Sequence, residues 1–190
     1  MAESAQSRSI SDSARLDAAA WTKVALEVLA EQGIHGVRVE ALAKRLGVTK
    51  GSFYWHFKDR GALFDAMLEE WRRSTTFDII ARLDRADEPC IVRLRKLLRL
   101  PLAGRKSEQA ANFELSIRLW GRRYPKAQEA LEEIDQLRLR YLSGLLEGCG
   151  VKKEEAAARA VLAYAYMRVA TTLIHDQRLM EKCEKILLGD

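Results

Sequence analysis

Proline is rare in this chain, with only Pro89, Pro101 and Pro125 in 190 residues. Period-two runs of β-branched residues are missing, which removes the usual signal for a half-buried strand. Cysteine is scarce and scattered, at Cys90, Cys149 and Cys183. No pair has C-x-x-C spacing, which argues against a disulfide framework or a zinc site. The three histidines, His35, His56 and His175, lie too far apart to form a ligand pair. No apolar run approaches the roughly 18 residues of a membrane span. Met1 to Asp12 lacks the apolar stretch of a signal peptide. A nucleophile–base pair, metal spacing and a phosphate loop are all absent. These absences predict a cytoplasmic protein that is not an enzyme and has no metal, no cofactor and no membrane partner.

What is present favours helix. Ala, Leu, Glu, Lys and Arg dominate, all good helix formers, and the chain is read as all-α with about nine helices. Hydrophobic residues make up 48% and charged residues 31%, with a net charge of +5. That mild basic excess fits a nucleic-acid partner without proving one. Residues 1–13 read as a disordered lead, with Arg8 a possible DNA contact.

The first helix is expected from Ala14 to Gln32, with Trp21, Val24, Ala25, Val28 and Leu29 in one apolar stripe. Gly33 stands at its C-terminal cap. Val39 to Leu46 reads as a short second helix and Gly47-Val48 as a tight turn. Thr49 is expected to cap a third, Lys50 to Phe57, through its hydroxyl. Asp59 should cap a long fourth helix from Arg60 to about Leu83. Asp87-Glu88-Pro89 opens a helix to about Leu100, which Pro101 and Gly104 end. Ser107 to Trp120, Pro125 to Glu147, Lys152 to His175 and Leu179 to Leu188 follow.

A short helix, a glycine turn and a second short helix make a helix-turn-helix. Here Leu42, Leu46, Val48, Phe53 and Phe57 have the spacing to lock the pair together. The probe helix carries Thr49, Lys50, Gly51 and Ser52 near its start. Small and hydrogen-bonding side chains there let a helix enter the major groove. Lys50 can donate to guanine, Gly51 permits close backbone approach, and Ser52 can bond to a base or phosphate. Tyr54 and His56 face outward with groups suited to phosphate oxygens, and Lys58 and Arg60 add charge. Between Arg15 and Arg60 the excess of basic residues is small, so salt-sensitive contacts should be few and placed.

The string Thr49-Lys50-Gly51-Ser52-Phe53-Tyr54-Trp55-His56-Phe57, with Ala25 to Gly33, Val39 to Val48 and Lys58 to Leu63, resembles the DNA-binding domain of the TetR family of bacterial regulators. The resemblance covers Trp21 to Leu68. It implies phosphate contacts from Arg38, Thr49, Tyr54, His56 and Arg60. It also implies that Lys50, Gly51, Ser52 and Trp55 face bases or nearby backbone. Packing of Trp55 against the fourth helix is the alternative. Two positions depart from the family pattern. Val37-Arg38 replaces a Ser or Thr cap before the second helix, and Gly61 stands where a Glu is usual.

By the same resemblance, residues 14–60 form the DNA-binding domain and residues 61–190 a helical domain for dimerisation and a small-molecule effector. The implied protein is a homodimeric repressor on a palindromic double-stranded operator, released by ligand. An activator, or a DNA binder without a ligand, is the alternative. Pro125 to Leu146 and Glu154 to Leu173 read as interface helices. The second is rich in small apolar residues over much of its circumference, so either a two-fold interface or an internal core position suits it. Pocket candidates are the aromatics Trp71, Phe77, Phe113, Trp120, Tyr124, Tyr141, Tyr164 and Tyr166. No dense charge cluster is evident in this region, so an uncharged or weakly polar ligand is expected.

Overall fold

The computed structural model describes residues 17–100, 105–174 and 176–189. These residues are mostly helical, and no strand occurs among them. The lead with Arg8, the break at Pro101–Gly104, and His175 lie outside the described residues.

Helix α1 is Ala18–Gln32. It starts later than the expected Ala14 because Asp17 is its N-cap: the Asp17 carboxylate accepts from the Ala20 amide at 2.9 Å. Gly33 ends it at φ 70°, a conformation that side chains with a Cβ disfavour. Helix α2 is Val39–Leu46 and ends on left-handed Gly47. Arg38, at its N-cap, provides no side-chain cap.

Helix α3 is Lys50–Tyr54, shorter than the expected span to Phe57. Its last turn closes on the Phe53 carbonyl, which accepts from the amides of His56 and Phe57. The chain then leaves the helix so that Phe57 turns inward and stacks on Phe53 at 5.3 Å. Thr49 occupies the N-cap position, but its hydroxyl makes no capping bond; its carbonyl accepts from Ser52 instead.

The expected single fourth helix is three pieces. Helix α4, Arg60–Arg72, is capped by Asp59, whose carboxylate accepts from Ala62. A π-helical turn, Arg73–Phe77, follows, and helix α5 is Asp78–Arg85. Two hydroxyls compete for the ladder here. Ser74 Oγ donates to the Glu70 carbonyl and Thr75 Oγ1 to the Trp71 carbonyl, each at 2.7 Å. Such back-bonding loosens and bends a helix.

Helices α6 (Cys90–Arg99), α7 (Arg105–Gly121), α8 (Pro125–Gly148), α9 (Lys153–Leu173) and α10 (Gln177–Leu188) complete the described fold. Two apolar clusters hold it together. The first joins α1 to α4 with α7 and the front of α8, through Trp21, Phe53, Leu63, Met67, Trp71, Ile117 and Ile134. The second joins α5, α6, the rear of α8 and α9, through Leu83, Leu94, Leu98, Leu142, Leu146 and Ala160. The helix-turn-helix thus shares its core with the helices behind it.

Helix α9 is buried on one face only. Ala156, Ala160, Ala163 and Ala170 pack inward, whereas Val161 and Leu162 are more than half exposed. Of the two positions expected for this helix, the internal core one therefore does not describe its Val161–Leu162 edge within a single chain.

Candidate nucleic-acid interface and ligand cavity

The probe helix is mounted by aromatic packing. Phe53 is fully buried and meets Trp21 edge-on, with ring centroids 5.3 Å apart. Burial of such a pair contributes area plus about 0.5–1.5 kcal/mol from ring geometry. Arg45 braces the support helix from below, pairing with Glu31 at 2.6 Å and Glu27 at 3.4 Å.

With Phe53 and Phe57 inside, the intervening residues point out. Tyr54 is 56% exposed and Trp55 87%. Trp55 therefore does not pack on α4. Arg38, Thr49, Lys50, Gly51, His56, Lys58 and Arg60 are exposed as well, and Ser52 is partly so. The structure gathers Thr49 to His56 on one short segment. Gly51 has open space where a Cβ would sit, the nearest atom being Thr49 Oγ1 at 3.7 Å. Nothing inside the fold requires glycine there.

Two basic residues already have partners. Lys50 Nζ pairs with Glu40 of α2. Arg60 donates to the Ile34 carbonyl at 3.0 Å and lies over the Phe64 ring at 4.8 Å. It ties the start of α4 to the α1–α2 loop, which is a role the sequence did not suggest.

A cavity of about 390 Å³ lies behind this unit. Its walls come from the π turn and from α5 to α9, including Tyr141 and Tyr164 among the expected aromatics. Trp71 and Phe113 line a separate depression beside α1. Trp120 and Tyr124 stack on each other at 5.1 Å and against Phe64, away from the cavity. Phe77 and Tyr166 do not line it either.

The cavity also holds a charge cluster, which corrects the expectation that this region has none. Arg138 of α8 donates to both Glu114 oxygens of α7 at 3.1 Å. Its Nε donates to Thr76 Oγ1 at 2.9 Å, and its Nη2 to Thr75 Oγ1 at 3.0 Å. Arg118 forks onto Asp135 at 2.9 and 2.7 Å. The Tyr164 hydroxyl donates to Asp135 at 2.6 Å and accepts from Arg138 at 3.0 Å. Trp71 Nε1 donates to Glu114 at 3.3 Å. Burial pushes the Glu114 carboxyl up, but Arg138, Arg168 and Arg118 outweigh it and hold it below the usual range. Burial pushes the Tyr164 hydroxyl up, so it stays protonated and able to donate.

A sequence signal for this cluster exists. Arg138 falls in the buried stripe of α8, between Ile134 and Leu142, and Glu114 lies one turn before buried Ile117. A charge in an apolar stripe marks a buried pair.

Comparison with known proteins points the same way. Residues 22–67 match the family described as bacterial regulatory proteins, tetR family. Over 55 residues the chain is 44% identical to tetracycline repressor protein class C of Escherichia coli, covering 29% of this chain and 25% of that protein. Over 46 residues it is 44% identical to the HTH-type transcriptional regulator AcrR of Shigella flexneri, covering 24% and 21% respectively. The chain thus spans about a quarter of the length of these curated relatives. A transcriptional regulator from Rhodococcus sp. Rha1 superposes with a TM-score of 0.69 at 22% identity, over 89% of this chain and 92% of that one. A TetR-like regulator from Rhodococcus sp. RHA1 gives 0.64 at 16% identity, over 88% and 91%. At such identities the likeness is one of fold.

Proposed function

Through residues 22–67 the chain belongs to the TetR family of bacterial regulatory proteins, and from that premise we propose that it is a cytoplasmic, homodimeric repressor that a small molecule releases from a palindromic operator. The observation that carries the reading is the alternation at the end of α3. Phe53 and Phe57 are buried anchors, and Tyr54, Trp55 and His56 are exposed between them. Tyr54 and Trp55 expose adjacent aromatic rings beside His56 and Lys58, a surface suited to meeting a partner.

In this reading residues 14–60 contact DNA. Lys50, Gly51, Ser52 and Trp55 face the bases. Arg38, Thr49, Tyr54, His56, Lys58 and the free N–H groups of Arg60 engage phosphates. Residues 61–190 pair two chains and hold the effector.

Two features support a second copy of this chain against α8 and α9. Val161 and Leu162 expose an apolar edge on α9. Gly144 is exposed near the C-terminal end of α8, with no neighbour near its missing Cβ. Glycine there weakens the helix by roughly 0.5–1 kcal/mol, and close approach of a partner helix offsets that. Two-fold pairing would set the probes about one DNA turn apart.

The cavity and the probe share a lever. Arg138 grips the π turn, which runs directly into α4, and α4 begins at Arg60 on the α1–α2 loop. A ligand that disturbs Arg138 therefore acts on the rod that carries the probe. To empty a fully occupied operator the ligand must favour the released state by about 5.5 kcal/mol.

Footprinting on the DNA upstream of the protein's own gene tests the reading. The expected result is a protected inverted repeat overlapping the promoter, with expression rising when the protein is removed. Protection upstream of the promoter, with expression falling, would make it an activator. No protection on any bacterial promoter would end the proposal.

A further inference from the structure

The cavity contains more positive than negative charge, and one cation in it is under-used. Three guanidinium groups, Arg118, Arg138 and Arg168, line it with one carboxylate, Glu114. Asp135 stands behind Arg118 as its partner. Every donor nitrogen of Arg138 is bonded, to Glu114, Tyr164, Thr75 and Thr76. Arg118 is held by both carboxylates. Arg168 differs. It approaches Glu114 only at 3.4 Å, and Glu114 already accepts from Arg138, Arg118 and Trp71. The Arg168 Nε is buried without a hydrogen-bond partner among the described residues. Its guanidinium carbon lies over the Tyr164 ring, 4.6 Å from the centroid.

The Arg168 side chain is only partly exposed and its buried Nε has no partner among the described residues, and a buried polar group left unpaired is costly to keep. Placed over a ring at the cavity wall, its planar fork matches a carboxylate. Much of the rest of the wall is apolar, with Ile79, Ile80, Leu97, Leu100, Leu115 and Met167. We propose that the effector is an amphipathic small molecule bearing a carboxylate, whose charged end binds Arg168 and whose apolar body lies along α5, α6 and Met167. One negative charge makes three cations and two carboxylates neutral overall. The volume, about 390 Å³, is that of a small-molecule site. The inference rests on the ligand-responsive reading above and assigns it a ligand class.

The test is calorimetric titration of the full-length protein with octanoate, octanamide and octylamine, each below its micelle threshold. These share a chain and differ in charge. Octanoate should bind at least tenfold more tightly than the other two. R168Q should lose at least tenfold in octanoate affinity while octanamide binding is unchanged. R168K should fall between, because an ammonium keeps the charge but lacks the fork. If R168Q fails to fold by circular dichroism, the octanoate-to-octanamide ratio in the unaltered protein decides alone. Equal binding of octanamide or octylamine, no binding by any probe, or unchanged octanoate affinity in folded R168Q would each overturn the proposal. Operator release separates the two readings. Octanoate that binds through Arg168 without loosening DNA would keep the anion site and end the octanoate-driven switch. Octanamide that binds equally well and releases DNA would keep the switch and end the anion site.

Discussion

Arg138 and Glu114 meet at 3.1 Å where the two apolar clusters of the molecule join. Arg138 comes from the middle of α8, with first-cluster residues before it and second-cluster residues after it. Both side chains are more than nine-tenths buried. Removing one partner would strand a charge, which costs about 3–5 kcal/mol. Glu114→Gln should therefore lower stability by about that amount in a chemical denaturation series. The double change Glu114→Leu with Arg138→Met should be far milder, since paired removal leaves less buried charge. A single-variant loss near zero would mean that the pair is solvated.

The carboxylates of this cluster, Glu114 and Asp135, set a pH dependence. The folded-state pKa of Glu114 lies below its ordinary value of 4.5, as does that of Asp135 below 3.8. Their contribution is complete above those ordinary values and is lost as pH falls through the lowered ones. Thermal unfolding should show stability that is flat on this account near neutrality and drops in acid. In Glu114→Gln the acid drop should be shallower.

Gly51 separates fold from function. A Cβ meets only open space there, and alanine favours helix over glycine by roughly 0.5–1 kcal/mol. Gly51→Ala should melt at or slightly above the parent temperature and yet bind DNA more weakly. Unchanged DNA affinity would show that backbone approach at this point is not needed.

Lys50 is paired with Glu40 in the free protein. Contact with a base requires that pair to open. Glu40→Gln should strengthen binding several-fold in a gel-shift titration at low salt, with the gain shrinking as salt rises. A weakened complex would mean that Glu40 orients Lys50 on the DNA.

Much of this was legible in the sequence because local chemistry dictated it. Gly33, Gly47 and Asp59 cap and turn as their residue types require, and Phe53 and Phe57 fall inward by spacing alone. The π turn was not legible. Ser74, Thr75 and Thr76 are ordinary helix residues until their hydroxyls and Arg138 are seen together. Trp120 and Tyr124 illustrate the opposite error. Aromatic type suggested a pocket, but Phe64 lies across the helix pair and claims both rings for the core. The charge cluster was harder to read because its members sit on three helices, with Glu114 and Arg138 24 residues apart.

The central claim is that the exposed face of α3 reads DNA. Selection of genomic fragments by the purified protein, with Tyr54→Phe and Lys50→Ala alongside, tests it most directly. The account predicts an enriched inverted repeat. It further predicts that Tyr54→Phe weakens binding about equally on all fragments, whereas Lys50→Ala changes which fragments are preferred. No enriched sequence from folded protein, or identical preferences with Lys50→Ala, would contradict it.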